Sequence, residues 1–145
     1  MYNTGGRDLF GVPIIINEYD NDKAFEKCIA YKLSQQGFSI TTQVVIGPKG
    51  VSYSKHIVDI VLPVERILVE VKLQNIGGTA ENKIAYEMWT YQWACDNYNY
   101  KKAYIVYGGN GFTTSVLSNL YEIVKNYPKV TLIRYEDDNT LSFIK

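Results

Sequence analysis

The stretch from His56 to Leu73, HIVDIVLPVERILVEVKL, constrains the fold more than any other part of the chain. On each side of residues 63–66 the residue types alternate with a period of two, which is typical of β-strands. The sequence therefore predicts two strands joined by a turn at residues 63–66. A turn centred between residues 64 and 65 places residue 59 opposite residue 70, and residue 57 opposite residue 72.

This register gives the predicted hairpin two different faces. The apolar face consists of Val58, Ile60, Leu62, Ile67, Val69, Val71 and Leu73. The other face carries Asp59, Glu70 and Lys72, with Ile57, Val61 and Leu68 beside them. Directly opposed residues on neighbouring strands have Cβ atoms about 4.5–5.5 Å apart. We therefore expect the two carboxylates to lie side by side, with Lys72 next to them.

Two interpretations of this charged face are open. In the first, it is the solvated side of an antiparallel sheet, where Lys72 pairs with either acid. In the second, the two acids repel each other unless a cation joins them. A hard ion such as Mg²⁺ binds carboxylate oxygens and keeps several waters. Lys72 would then orient or deprotonate an attacking water, or balance charge on a phosphoryl transition state.

Asp59, followed by Glu70-Val71-Lys72 on the next strand, resembles the PD-(D/E)XK nuclease superfamily, which includes many restriction endonucleases and junction resolvases. The resemblance extends from the helix around Glu26 to the strand that ends near Tyr107. An E-x-K triplet is common by chance, so the specificity of the motif comes from order, spacing and strand context. Val58 occupies the position of the proline that gives the superfamily its name and that is often absent.

The resemblance implies a restriction-endonuclease-like fold and a metal-dependent DNA endonuclease that leaves 5′-phosphate and 3′-hydroxyl ends. It implies Mg²⁺ as cofactor, with Mn²⁺ as a substitute, and Asp59 and Glu70 as metal ligands. Lys72 would be the catalytic lysine. For Glu26 two roles stay open: a surface residue paired with a lysine, or a third catalytic acid that leans over the active face.

The rest of the pattern predicts one α/β domain over residues 1–145, with a mixed central sheet flanked by helices. An αβββαβ core is followed by a C-terminal helix and two strands. Residues 1–11 are expected to form a flexible arm, and Val12–Ile16 an edge strand or a contact with a partner subunit. The expected elements are helices at about 22–36, 79–96 and 113–126, and strands at 38–46, 56–62, 67–73, 103–107, 130–135 and 141–144.

Several polar residues are candidate DNA contacts because of their predicted positions. Lys49 and Lys55 belong to a turn-rich loop that leads directly onto the strand of Asp59. Gln74 shares the face of Glu70 and Lys72. Thr79 is the predicted cap of the next helix, where free backbone N–H groups suit a phosphate, and Lys83 lies one turn into that helix.

Composition sets limits on function and location. The chain has 15 Lys and Arg and 15 Asp and Glu residues, a net charge of zero that argues weakly against nucleic-acid binding. Acids that bind a metal are neutralised in the loaded site, which weakens that objection.

No apolar run approaches the roughly 20 residues that span a bilayer, so we expect no membrane association and a cytoplasmic location. Cys28 and Cys95 are expected to be buried thiols, and a single histidine without a Cys-x-x-Cys motif excludes a zinc site on spacing.

These observations favour a DNA endonuclease of the restriction, homing or resolvase type. Because one such domain carries one active site, a double-strand cut implies a homodimer or higher assembly. The alternative is a catalytically silent DNA- or RNA-binding module with the same fold. A third possibility is an interaction protein that presents a charged sheet face.

Overall fold

The structure is a computed structural model. It describes residues 2–7, 13–17, 21–75 and 80–145, and the side chains of residues 21–75 and 82–145. Its elements, in chain order, are β1 (Tyr2–Arg7), β2 (Pro13–Asn17), α1 (Asp22–Gln35), β3 (Thr41–Pro48), β4 (Lys55–Leu62), β5 (Ile67–Leu73), α2 (Ala80–Tyr98), β6 (Lys102–Gly108), α3 (Thr114–Val124) and β7 (Val130–Arg134).

Five strands form the central sheet in the order β3-β4-β5-β6-β7. The pairs β3–β4 and β4–β5 are antiparallel, whereas β5–β6 and β6–β7 are parallel. Parallel neighbours need a crossover connection, and here helices α2 and α3 supply one each. The predicted α/β domain with a mixed sheet flanked by helices is confirmed, and it is consistent with a restriction-endonuclease-like fold.

The sheet separates two hydrophobic cores. Helix α1 begins after Asn21, whose Oδ1 accepts a hydrogen bond from the Ala24 N–H at 2.8 Å. Its predicted inner stripe is buried against one face of the sheet and consists of Phe25, Cys28, Ile29 and Leu33. Helices α2 and α3 cover the other face, where the core includes Ile84, Met88, Tyr91, Leu120 and Leu132. Val61 and Leu68, which were predicted on the charged face of the hairpin, are buried in the core beside α2, so helix α2 covers that part of the face.

The register of the β4–β5 hairpin is confirmed at three residue pairs. Ile60 pairs with Val69, Val61 with Leu68, and Leu62 with Ile67. The ladder ends there, one position before the predicted pairing of residues 59 and 70. The two strands therefore separate where the acidic residues were expected to meet.

The alternation of β4 also breaks at this point, which corrects the predicted apolar face. Ile60 and Leu62 pack in the core beside α1, but Val58 packs with Val61 and Leu68 in the core beside α2. In a continuous strand, residues 58 and 60 would point to the same face. The placement of Val58 with Ile60 was therefore wrong, because the strand changes face at Asp59.

Both ends of the chain differ from the sequence prediction. Residues 2–7, assigned to a flexible arm, form β1, which pairs antiparallel with β2; residues 8–11 lie outside the described part. Strand β2 agrees with the strand expected around Val12–Ile16. The strand predicted at residues 141–144 does not form: these residues lie in turns, and the apolar pattern there reflects burial of Leu141 and Ile144 in the core beside α1.

Two predictions on cysteines and membranes can be compared with the structure. Cys28 and Cys95 are buried thiols, as predicted, and burial raises the pKa of the Cys95 thiol to about 11. No helix in the described residues combines the length and apolar character needed to cross a membrane.

Two glycines allow the free-energy cost of a left-handed backbone conformation to be measured separately from the cost of a steric clash. Gly37 and Gly109 have similar φ angles, 95° and 98°, but a Cβ on Gly37 would meet nothing within 4 Å. A Cβ on Gly109 would lie 2.7 Å from the backbone carbonyl carbon of Gln74, directly beyond β5. We expect Gly37→Ala to cost about 1–2 kcal/mol through its left-handed backbone. Gly109→Ala should cost about 1–3 kcal/mol more, because backbone atoms must move.

Urea denaturation of both variants checks this prediction through the free energy of unfolding. Equal losses for Gly37→Ala and Gly109→Ala would show that the Gln74 backbone does not restrict Gly109.

Candidate active site

The site begins where the β4–β5 ladder ends. Asp59 Oδ2 accepts a hydrogen bond from the Val71 backbone N–H at 2.9 Å. A backbone N–H inside a protein needs a partner, and here a carboxylate provides it where the neighbouring strand does not. This bond fixes Asp59 between two separating strands, beside the side chain of Glu70.

Glu70 is a buried acid, with 6% of its surface exposed. Tyr91 on α2 donates its hydroxyl proton to Glu70 Oε1 at 3.2 Å. Burial, followed by Asp59 and Glu87, raises the pKa of Glu70 well above its ordinary value, although Lys72 opposes the shift. Asp59 is thus one of the groups that act on Glu70, and the Glu70 carboxyl group lacks full charge compensation.

Lys72 is shared between two carboxylates. Its Nζ lies 3.0 Å from Glu70 Oε2 and 3.3 Å from Glu87 Oε1, and its side chain is 20% exposed. Burial alone would lower the pKa of Lys72, but Glu70 and Glu87 together raise it. The side chain is therefore held as an ammonium group at one edge of the site.

Glu26 reaches the same region from α1. Gln43 on β3 donates through Nε2 to Glu26 Oε1 at 2.7 Å and to Asp59 Oδ1 at 3.3 Å. Burial raises the pKa of Glu26, and the hydrogen bond from Gln43 opposes that shift. Glu26 therefore lies in the same cleft as Asp59, and its role as a third catalytic acid stays a prediction.

These side chains border a cleft of about 240 Å³. It is lined by Asp22, Glu26, Asp59, Val71, Lys72, Leu73 and Lys83. Lys83, a predicted DNA contact, thus shares the cleft with Asp59 and Lys72. Across residues 21–75 and 82–145, no group of three or more Asp, Glu, His or Cys side chains is arranged to hold a metal ion. The Gln43 amide lies between Glu26 and Asp59 and contacts both carboxylates.

The other predicted DNA contacts lie elsewhere. Gln74 is buried, and its amide donates to the Gly111 carbonyl at 2.9 Å, so it links the end of β5 to the loop after β6. Lys49 and Lys55 lie on the exposed β3–β4 hairpin, and Lys49 Nζ is 5.9 Å from the ring centroid of Tyr86. Thr79 lies outside the described residues.

Three residues of the site were not assigned to it from the sequence. Tyr91 was predicted to be a core residue of α2, and it is, but its hydroxyl group also contacts Glu70. Glu87 precedes Tyr91 by four residues, and this spacing places both on one helix face, which was the available signal. Gln43 gave no signal, because its role depends on a local backbone conformation that glutamine does not favour.

The buried carboxyl group of Glu70 predicts how stability depends on pH. Since its pKa in the folded protein is raised above the ordinary 4.5, the folded state holds a proton that the unfolded state has lost. The free energy of unfolding should therefore fall as the pH rises above about 4.5 towards the raised value. In Glu70→Gln this fall should disappear, because glutamine stays neutral.

Urea denaturation from pH 4 to 8 in the presence of EDTA measures the difference. We expect Glu70→Gln to match the original protein at pH 4 and to exceed it increasingly at higher pH. Glu122→Gln is the control, since Glu122 forms an exposed ion pair with Lys125 at 2.8 Å. A constant gap for Glu70→Gln at all pH values would mean that Lys72 keeps Glu70 ionised.

Comparison with known proteins agrees with this geometry. The family model of the PD-(D/E)XK nuclease superfamily domain matches residues 17–142, which include every described residue of the site. No curated protein and no solved structure matched the chain. The match covers most of the sequence, and the chain therefore belongs to the PD-(D/E)XK nuclease superfamily.

Proposed function

We propose that the protein is a Mg²⁺-dependent DNA endonuclease that leaves 5′-phosphate and 3′-hydroxyl ends. The superfamily supports a nuclease-type hydrolase that acts on nucleic acid. The observation that carries the finer proposal is the position of the Asp59 and Lys72 side chains in one cleft at the end of the β4–β5 ladder. Glu70, 3.0 Å from Lys72, completes the group.

Asp59 and Glu70 fit a small hard cation. Two carboxylates that lie close together repel each other unless a positive charge lies between them. Mg²⁺ is commonly held by one or two carboxylates plus substrate phosphate and water, so a third protein acid is not needed. When bound, the ion supplies a Lewis acid for the phosphate and lowers the pKa of a water. Mn²⁺, which prefers the same oxygen ligands, should substitute.

Lys72 would act as a fixed positive charge. Its two carboxylate partners favour the ammonium form, so it is better suited to orienting the attacking water and stabilising the transition state than to accepting a proton. Glu87 holds the ammonium from α2 while Glu70 also faces Asp59. We also propose that Glu26 is a third catalytic acid. It borders the cleft and accepts a hydrogen bond from Gln43.

The DNA path would run over the cleft and the β3–β4 hairpin. Lys83 lines the cleft, while Lys49 and Lys55 extend the positive charge along the hairpin. Thr79, which precedes α2 in the sequence, remains a proposed DNA contact. The amide of Gln74 is engaged by Gly111, so a contact of Gln74 with DNA would require that bond to break. Cleavage of both strands would need a homodimer or higher assembly, because one domain carries one site.

Loss of charged site residues should abolish cleavage without unfolding the protein. For Asp59→Asn and Lys72→Ala we expect the rate of nicking of supercoiled plasmid in Mg²⁺ to fall by about 10²–10³ or more. Asparagine keeps an oxygen that can accept the Val71 N–H bond, so Asp59→Asn should retain the fold. Plasmid nicking and circular dichroism measure the two effects.

Lys129→Ala is the matched control for Lys72→Ala, because Lys129 also pairs with a carboxylate, Asp96 at 2.6 Å, but does so on an exposed surface. It should cleave normally. DNA binding without metal-dependent cleavage in the original protein would favour the catalytically silent module. An Asp59→Asn protein that unfolds would argue against a role for Asp59 in the site.

Lys83 should contribute a phosphate contact. For Lys83→Ala, binding to duplex DNA should weaken equally for unrelated sequences, and the slope of log K against log salt should change by about 0.9. Fluorescence anisotropy in Ca²⁺ at several salt concentrations measures this slope. Lys125→Ala, which removes an exposed lysine from α3's ion pair with Glu122, is the control. An unchanged slope for Lys83→Ala would remove Lys83 from the interface.

A further inference from the structure

Gln43 adopts a backbone conformation that glutamine rarely takes. Its φ angle is 52°, in the left-handed region, although β3 pairs with β4 on both sides of it. Thr42 pairs with Ile60 and Val44 pairs with Val58. Such a conformation costs free energy in a residue with a Cβ atom, and it persists only where the surroundings impose it.

The conformation coincides with the change of face in two neighbouring strands. On β4, Ile60 packs beside α1 and Val58 packs beside α2. On β3, Val44 packs against the core beside α2, whereas Ile40, just before the strand, packs against the core beside α1. Gln43 and Asp59 lie at the point of change in each strand, and the Gln43 side chain bridges the acids there.

The Gln43 amide contacts two carboxylates at once. Its Nε2 is 2.7 Å from Glu26 Oε1 and 3.3 Å from Asp59 Oδ1. An amide nitrogen carries two hydrogens, so each acid can receive one. Asp59 Oδ2 is held separately by the Val71 N–H at 2.9 Å. Both oxygens of Asp59 therefore have a fixed donor.

We propose that Gln43 is a positioning residue that orients the Asp59 carboxylate for a divalent cation and holds Glu26 at a set distance from it. The inference rests on the proposed function, because it takes Asp59 as a metal ligand. A neutral amide suits this task better than lysine, whose positive charge would compete with the metal for the same oxygens. Each carboxylate oxygen has more than one acceptor site, so the bond from Gln43 leaves room for a cation.

Two substitutions separate the amide from the backbone conformation. Gln43→Met keeps the length of an unbranched side chain but donates no hydrogen bond to Glu26 or Asp59. Gln43→Asn keeps an amide and tolerates the left-handed region well, but it is one methylene shorter and cannot span both acids. Gln36→Met is the matched control, because Gln36 is also exposed and its amide donates to the Thr140 carbonyl at the far end of α1.

Binding of Mn²⁺ without DNA, measured by isothermal titration calorimetry, is the main readout. Loss of a residue that orients a metal ligand typically weakens metal affinity by about 10–100-fold, and we expect a loss in this range for Gln43→Met and Gln43→Asn. The melting temperature without metal should not fall in Gln43→Asn. Gln36→Met should bind Mn²⁺ like the original protein.

The combination of readouts distinguishes the possible outcomes. A Gln43→Asn protein with an unchanged melting temperature and weakened Mn²⁺ binding supports the positioning role, since a merely structural role would lower both. Unchanged Mn²⁺ binding in both Gln43 variants, with an original protein that cleaves plasmid, overturns this inference alone. If the original protein neither binds Mn²⁺ nor cleaves, the proposed function fails and the inference fails with it.

Discussion

The hydrogen bond from the Val71 N–H to the Asp59 carboxylate joins the fold of this protein to its chemistry. A sheet satisfies its backbone groups by continuous pairing, and a strand that separates from its neighbour leaves polar groups that need other partners. Here the β4–β5 ladder ends at Ile60 and Val69, and a side chain takes over one position later. The opening allows an acid to enter the sheet without leaving a buried N–H unpaired. It also places that acid against the backbone of Val71, the residue that follows Glu70, at the open end of the ladder.

The surroundings of Glu70 bear on the two interpretations of the charged face. On a solvated surface Glu70 would need no partners, but it is buried, forms an ion pair with Lys72 and accepts a hydrogen bond from Tyr91. Burying an ionised group is costly unless it is paired and hydrogen-bonded. A chain that needed only a stable core would do better with apolar residues at these positions. A buried acid with a raised pKa, bonded to a lysine that lines a cleft, is more typical of a functional site than of a general interaction surface.

The parts of the fold that sequence predicted are those governed by regular periodicity. The inner stripe of α1 follows a spacing of three and four residues, and the register of the β4–β5 hairpin follows from its turn. Periodicity failed where a strand stops being regular: Val58 points away from its expected face because β4 changes face at Asp59. Gln43 was not assigned to the site for the same reason, because nothing in its side chain indicates a positive φ angle. The opposite error occurred at Leu141 and Ile144. Their apolar pattern predicted a strand, but it reflects only the burial of these two residues in the core beside α1.

A net charge of zero is compatible with DNA cleavage if metal and DNA bind together. Without a cation, the cleft contains more acids than lysines: Asp22, Glu26 and Asp59 against Lys72 and Lys83. The excess negative charge would repel a phosphate. In the proposed mechanism, a divalent ion on Asp59 and Glu70 would add two positive charges and reverse that balance. By linkage, the phosphate must then raise the affinity for the ion as much as the ion raises the affinity for the phosphate. In the proposed mechanism the cleft therefore needs no large basic surface, because the metal provides the charge at the place where the bond is cut.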